Sequence, residues 1–109
     1  MATFAIGDVV TVTYPYTDQS GDKLRPALVI SIDHHDFLLC MVTSKAWNNA
    51  LAMPVPEKDL RSSNLRISSF VCPNRLFMAN ASIINKKIGN FSAQFMREVK
   101  KTIADWVLE

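Results

Sequence analysis

Apolar residues recur with the period of an α-helix in only one segment of this chain, at its C-terminal end. Ser92 can begin that helix, because its hydroxyl can accept an otherwise unpaired backbone N–H. Many short strand-like runs followed by one amphipathic helix predict a small, strongly bent sheet or barrel rather than parallel β-α-β units. The apolar stripe, which we expect to pack on the sheet, recurs in steps of three and four residues at Phe95, Met96, Val99, Ile103, Trp106 and Val107.

The remaining apolar runs predict β-strands that alternate with turns. Residues 8–13 combine valine and threonine in the period-2 pattern of a strand with one solvent-facing side. The polar residues 33–36 separate two further runs, which together predict a hairpin. Pro54 and Pro56 confine any strand there to a sheet edge, and residues 57–66 are polar and irregular. The strand candidates are residues 8–13, 26–32, 37–43, 67–72, which Pro73 and Asn74 end, and 82–88.

Size and charge restrict what the molecule can bind. The chain has 109 residues, 49% of them hydrophobic, which is enough for one core and too few for two. We therefore predict a single domain over residues 1–109. The net charge is only +2, so any site for a polyanion must come from local clustering of lysine and arginine at strand ends and loops. Scattered, solvated charges are the alternative.

Cysteine usage and hydropathy exclude two further classes. Cys40 and Cys72 lie in apolar runs without a Cys-x-x-Cys spacing or a nearby histidine pattern, so we predict buried reduced thiols rather than a metal site. No apolar run approaches the roughly 20 residues needed to span a bilayer. We therefore expect a cytosolic (cytoplasmic) protein that does not bind membranes.

The position of Arg25 is the most informative local feature. Lys23, Arg25 and the rigid Pro26 lead directly into an apolar strand, so the guanidinium is expected where that strand begins. From the residues alone, Arg25 is a strand-edge cation.

The sequence resembles the PemK/MazF-type toxin family over nearly its whole length. The resemblance implies an SH3-like barrel of antiparallel strands with a C-terminal amphipathic helix, and a homodimer. It also implies an endoribonuclease of a type II toxin–antitoxin system, cutting single-stranded RNA without a metal or other cofactor. The segments that carry it, in the family's order and approximate spacing, are GDVV at 7–10, YPYTD at 14–18, RPALVIS at 25–31, VTSK at 42–45 and KIGNFS at 87–92.

The same resemblance implies catalytic roles for Arg25 and Thr43. Metal-free cleavage proceeds by attack of the 2′-hydroxyl on the adjacent phosphate, leaving a 2′,3′-cyclic phosphate and a free 5′-hydroxyl. Negative charge builds on the phosphoryl oxygens, which a guanidinium fork and a neutral hydroxyl donor can both stabilise. Arginine stays protonated, with a pKa above about 12, so another group must accept the 2′-hydroxyl proton.

Four residues are considered for the role of that general base. DQSG at 18–21 is similar to an acidic-Gln-small-Gly pattern of some family members, which makes Asp18 the acidic candidate, although its spacing to the Arg-Pro motif is longer here. Asp22 is the competitor. His34 and His35 lie in the predicted hairpin turn, away from the strand end that carries Arg25, so we expect them to be solvated.

RNA binding requires stacking surfaces as well as phosphate contacts. Three aromatic residues lie in the predicted loops 14–24 and 44–51, on either side of the catalytic pair, although the two tyrosines can equally cover the open end of the barrel. Beside the tryptophan, Asn48 and Asn49 can read base edges. The RNA-binding candidates are Tyr14, Tyr16, Lys23, Ser44, Lys45, Trp47 and Ser69, which matches a small hydroxyl position in the family.

The resemblance also implies protein partners and leaves rival functions open. Such toxins are silenced by an antitoxin with an acidic, poorly ordered tail, and they form dimers, here through Leu51 to Val55 and part of the final helix. A non-enzymatic rival is a poison of DNA gyrase with this fold that binds through the C-terminal helix near Trp106, although the apolar stripe favours burial of that tryptophan. A barrel that binds RNA or a partner without catalysis is the third alternative.

Overall fold

A computed structural model describes residues 3–13, 24–46, 48–65 and 67–109, which form one six-stranded antiparallel sheet and two α-helices. The spatial order of the strands is β4-β5-β3-β2-β1-β6. The prediction of a mainly β fold that ends in an amphipathic helix is confirmed. The elements are β1 (Asp8–Thr13), β2 (Leu24–Asp33), β3 (Asp36–Thr43), β4 (Met53–Pro54), α1 (Glu57–Ser62), β5 (Phe70–Asn80), β6 (Ile84–Asn90) and α2 (Ala93–Val107).

Both faces of the sheet are buried, which explains why its central strands are almost continuously apolar. Val9 and Val10 are neighbours in β1, yet they belong to two different core clusters. The first cluster lies between the sheet and α2. The second takes its members from five strands of the same sheet, so the sheet must bend around them. This bending is what the many short strands predicted.

The start of α2 is fixed by a polar contact with α1. The Ser92 hydroxyl accepts the Phe95 N–H at 3.3 Å, as the sequence predicted. The buried Asp59 carboxylate of α1 accepts the Ser92 N–H at 2.7 Å and its hydroxyl at 3.2 Å. Because a buried carboxylate is costly unless it is hydrogen-bonded, this contact anchors the short helix to the long one.

The last turn of α2 departs from the predicted stripe. Phe95, Met96, Val99 and Ile103 are buried, but Trp106 is 38% exposed and Val107 is 62% exposed. The helix continues for one turn beyond Ile103, its last residue in the core cluster. The apolar residues of that final turn therefore have no part of the described core to pack against.

Two predictions between residues 57 and 80 were wrong. Residues 57–62 form α1, which is too short for its periodicity to be recognised and depends on tertiary contacts for stability. The strand predicted at 67–72 begins instead at Phe70 and continues past Pro73 to Asn80. A β-bulge accommodates the proline: Met41 pairs with Cys72 and Cys40 pairs with Leu76, so residues 73–75 face no partner on β3. Pro54, in contrast, lies in the edge strand β4, as expected.

Gly89, within the KIGNFS segment, allows β6 to approach α1 closely. A Cβ atom at this position would lie 2.1 Å from the Ser62 carbonyl oxygen and 2.2 Å from the Cα atom of Ser63. Any side chain would therefore push α1, and with it Asp59, away from the sheet.

Both cysteines are buried free thiols, as predicted. The Cys40 thiol donates to the Cys72 carbonyl oxygen at 3.0 Å. Burial, and to a lesser extent the neighbouring Cys72, raises the pKa of Cys40 to about 12. Burial also raises the pKa of Cys72. Both groups are therefore held in the unreactive thiol form at neutral pH.

Hydropathy excludes one further type of element. Within the part of the chain that the structure describes, no helix is both long enough and apolar enough to cross a membrane.

The raised pKa of Cys40 predicts a loss of stability in alkaline solution. Because the folded-state pKa of about 12 lies above the ordinary thiol pKa of 9.0, the thiol's contribution to stability is complete below pH 9 and is lost between pH 9 and 12. Denaturant titrations across this window should give a free energy of unfolding that falls more steeply in the wild type than in Cys40→Ala, by up to about 1.4 kcal/mol per pH unit. Parallel profiles for the two proteins would contradict the assignment.

Candidate active site

A pocket of about 300 Å³ opens where β2 begins and β3 ends, and it contains Arg25 and Thr43, two of the three residues predicted to be catalytic. The antiparallel register pairs Ala27 with Met41, and the same count places Arg25 opposite Thr43 at the strand ends. Strand pairing thus brings together two side chains that are 18 positions apart in the sequence. The pocket is lined by Arg25, Pro26, Met41, Val42, Thr43, Ser44, Leu65, Ile67 and Ser69.

The backbone of Arg25 is held by strand pairing, whereas its guanidinium group makes no ion pair with the described residues. The backbone pairs with Val12 of β1, and Pro26 fixes the next φ angle. The side chain is exposed, and none of the ion pairs among the described residues involves it. Its neighbours in the pocket include the apolar Met41, Leu65 and Ile67, which lower the local dielectric and strengthen attraction to an anion.

The Thr43 hydroxyl is oriented by the chain that follows it. Its oxygen accepts the Lys45 N–H at 3.1 Å, and the hydroxyl donates to the Lys45 carbonyl oxygen at 3.3 Å. The second contact is longer than the usual 2.5–3.0 Å of an O–H···O hydrogen bond, so it is weak. A phosphate oxygen can therefore take over this proton while the Lys45 N–H keeps the hydroxyl in place.

The other described candidates differ in their access to the pocket. Ser44 is exposed and lines it, and Lys45 is exposed next to it. Ser69 also lines the pocket, but it is 5% exposed and its hydroxyl donates to the Ile67 carbonyl oxygen at 3.0 Å. The remaining candidates, Tyr14, Tyr16, Asp18, Asp22, Lys23 and Trp47, lie outside the described residues.

The apolar wall of the pocket was not predicted from the sequence. Leu65 and Ile67 follow α1, and Ile67 is 63% exposed although it is a large apolar residue. Binding pockets combine such apolar walls with a few polar groups. The sequence feature that could have predicted this wall is the presence of two apolar residues in the otherwise polar segment 61–69.

Asn49 has structural contacts at both ends of its amide. Its Nδ2 donates to Asn74 Oδ1 at 3.0 Å, and its Oδ1 accepts the Leu51 N–H at 3.1 Å. These bonds connect the loop after β3 to the bulge of β5. Asn48, the other residue expected to read base edges, is exposed and has a positive φ of 57°.

The two histidines lie far from the pocket, as expected. They form the turn between β2 and β3, at the opposite end of β2 from Arg25, which corresponds to roughly 26 Å along the strand. His34 contacts the Asp33 carboxylate at 2.8 Å. Over the described ranges, no three His, Cys, Asp or Glu side chains form a group that could hold a metal ion.

Solved structures with the same fold include two toxin–antitoxin complexes. MazF from Deinococcus radiodurans is 19% identical, with 100% of each chain covered and a TM-score of 0.76. An endoribonuclease in complex with its cognate antitoxin from Mycobacterial species is 13% identical, covering 96% of this chain and 95% of that chain, with a TM-score of 0.75. The MazE–MazF complex from D. radiodurans is 18% identical, with 98% and 97% covered and a TM-score of 0.74. These identities establish likeness of fold.

Family membership follows from the sequence itself. No curated protein sequence matches the chain significantly. The model of the family described as PemK-like, MazF-like toxin of type II toxin-antitoxin system matches residues 5–107. Since this match covers almost the entire chain, which also folds like MazF, the chain belongs to the PemK-like, MazF-like family of toxins.

Proposed function

We propose that this chain is an endoribonuclease toxin that cleaves single-stranded RNA without a metal ion. The observation that carries the proposal is that Arg25 and Thr43 line one pocket, opposite each other at the ends of paired strands. Membership of a toxin family that the sequence and fold both support adds independent weight.

The proposed reaction is an internal transesterification at one phosphate. The 2′-oxygen forms a bond to phosphorus, the bond from phosphorus to the 5′-oxygen breaks, and the products are a 2′,3′-cyclic phosphate and a 5′-hydroxyl. The 2′-hydroxyl proton passes to a base, and the departing 5′-oxygen takes up a proton. Arg25 donates to the phosphoryl oxygens as a charged fork, and Thr43 adds a neutral donor. Each contact contributes roughly 3 kcal/mol to transition-state stabilisation.

The general base must come from elsewhere in the molecule or its assembly. Arg25 remains protonated, and no carboxylate is among the described residues that line the pocket. We assign the role to Asp18, with Asp22 as the competitor, because both come shortly before β2 and Arg25 in the sequence. The aromatic residues Tyr14, Tyr16 and Trp47 belong to the segments that precede β2 and follow β3 in the sequence, and they are proposed to stack on bases.

The proposed partners are a second copy of this chain and an acidic antitoxin. The antitoxin tail would occupy the cationic pocket in place of RNA and so silence the toxin. The dimer surface is proposed to include Leu51 to Val55 and part of α2, where Trp106, Val107 and Leu108 are exposed by 38%, 62% and 82%. Exposed apolar residues at one helix end suit a protein contact.

The same exposed helix end favours one alternative function. A toxin that poisons DNA gyrase through its C-terminal helix would use Trp106 and its neighbours, and it would not need the phosphate-binding pocket. Incubation of the purified wild type with naked RNA in EDTA separates the two proposals, because a gyrase-binding protein would leave the RNA intact.

Replacement of Arg25 tests the proposed function directly. Arg25→Ala should lower the cleavage rate roughly 100-fold to 1,000-fold in EDTA, because the transition-state charge loses its principal cation. Arg61→Ala is the matched control, since Arg61 is exposed on α1 and paired only with Glu57. Circular dichroism should show that both variants remain folded. If Arg25→Ala cuts RNA at the wild-type rate, the assigned site is wrong.

Two substitutions at Thr43 separate its hydroxyl from its shape. Thr43→Val keeps the branched side chain but removes the donor, so we expect a loss in kcat of roughly 100-fold. Thr43→Ser keeps the hydroxyl and its bond to the Lys45 N–H, so its kcat should stay close to that of the wild type. Equal activity of the valine and serine variants in single-turnover assays would exclude Thr43 as a donor.

The dimer is tested by the mass of the free protein in solution. Multi-angle light scattering should give about twice the 12.2 kDa of one chain. Trp106→Ala should shift the population towards monomer, because the exposed apolar helix end loses its largest side chain. A 12 kDa species alone at high protein concentration would exclude the dimer.

A further inference from the structure

A second hollow adjoins the proposed active-site pocket. It has a volume of about 400 Å³ and is lined by Met41, Asn74, Arg75, Leu76 and Phe77. Met41 also lines the pocket that contains Arg25 and Thr43. One side chain of β3 therefore separates two adjacent depressions, each of which contains an arginine.

Arg75 is available for a ligand. Its side chain is exposed, and none of the ion pairs within the described part of the chain involves it. It lies in the bulge of β5, where residues 73–75 face no partner on β3. Although β5 is an interior strand of the sheet, the bulge leaves Arg75 unpaired with β3, and its side chain reaches the surface.

A hydrogen-bonded connection fixes Arg75 relative to the active-site pocket. Asn74, the residue before it, accepts from Asn49 at 3.0 Å, and Asn49 accepts the Leu51 N–H. Asn49 belongs to the segment that follows Ser44, a residue that lines the pocket. The β5 bulge therefore contacts this segment through Asn49 and the strand that carries Thr43 through the sheet.

The spacing suits two different phosphates of one strand. Arg25 and Arg75 lie on β2 and β5, which flank β3, so their backbones are about 10 Å apart across the sheet. The bulge lies opposite Cys40 and Met41, about two residues before Thr43 on β3, which gives a Cα–Cα distance of roughly 12 Å. This separation allows the two guanidinium groups to contact different phosphates of one strand.

We propose that Arg75 binds a phosphate of the RNA other than the one that is cleaved, and so positions a substrate longer than the scissile dinucleotide. This inference rests on the proposed endoribonuclease function. Arg75 is a positioning residue, because it does not contact the reacting phosphate. Since the whole molecule carries a net charge of only +2, one extra local cation contributes substantially to affinity for a polyanion.

The kinetic test compares a long and a minimal substrate. After the cleavage site has been mapped in a mixed RNA pool, Arg75→Ala is assayed on an oligonucleotide that extends on both sides of the site and on the isolated dinucleotide. On the oligonucleotide, KM should rise about tenfold with kcat unchanged, and Arg75→Lys should recover part of the loss. On the dinucleotide, the variant should equal the wild type. Equal losses on both substrates, or no loss on either, would overturn the proposal.

A binding test separates this inference from the proposed function. A mixed-sequence 2′-O-methyl RNA lacks the attacking hydroxyl, so its affinity can be measured by fluorescence anisotropy without cleavage. Arg75→Ala should weaken binding and lower the slope of log K against log salt by about 0.7, the value for one phosphate of a single strand, whereas Arg61→Ala should change neither. An unchanged slope overturns the role of Arg75 even if RNA is cleaved. Failure of the wild type to bind this RNA overturns both proposals. If the wild type binds it but does not cleave unmodified RNA, only the enzymatic proposal is overturned.

Discussion

The pairing register of β2 and β3 is the constraint on which the site depends. It places Arg25 against Thr43, and a shift of one residue would move one of the two side chains to the other face of the sheet. Both faces are apolar, yet they are not equivalent, because one packs on α2 and the other encloses a cluster formed by five strands of the sheet itself. Leu28 belongs to the first cluster and its neighbour Ala27 to the second. The core thereby fixes the register, and the register positions the proposed catalytic pair.

Ion pairs neutralise three of the lysine and arginine side chains in the described residues, and the two arginines near the pocket are not among them. Lys87 pairs with Asp8 at 3.2 Å, and on the helices Arg61 pairs with Glu57 and Lys101 with Asp105. In the described part of the chain, Arg25 and Arg75 have no such partner. A small net charge is therefore compatible with a local anion site, because it is the placement of unpaired cations that determines the field in a pocket.

Several segments that carry the family resemblance have structural functions. Gly7 adopts a φ of 97° and its N–H donates to the Val29 carbonyl oxygen, while Asp8 accepts the Ala5 N–H. Gly89 permits the contact between β6 and α1. These residues determine how the sheet is assembled, whereas Arg25 and Thr43 line the pocket and are proposed to bind the phosphate.

The sequence alone determined the elements whose periodicity is strong, and the family resemblance that it carries led to the proposal of Arg25 and Thr43 as the catalytic pair. Strand β1 and the start of α2 at Ser92 were predictable because alternation and capping are local properties. It could not predict α1, the passage of β5 through Pro73, the apolar wall at Ile67 or the exposure of Trp106. Each of these depends on where the sheet bends, ends or bulges, and therefore on contacts between residues distant in sequence. Only the tertiary structure placed Arg75 beside the pocket, because a bulge has no local signature until the partner strand leaves its residues unpaired.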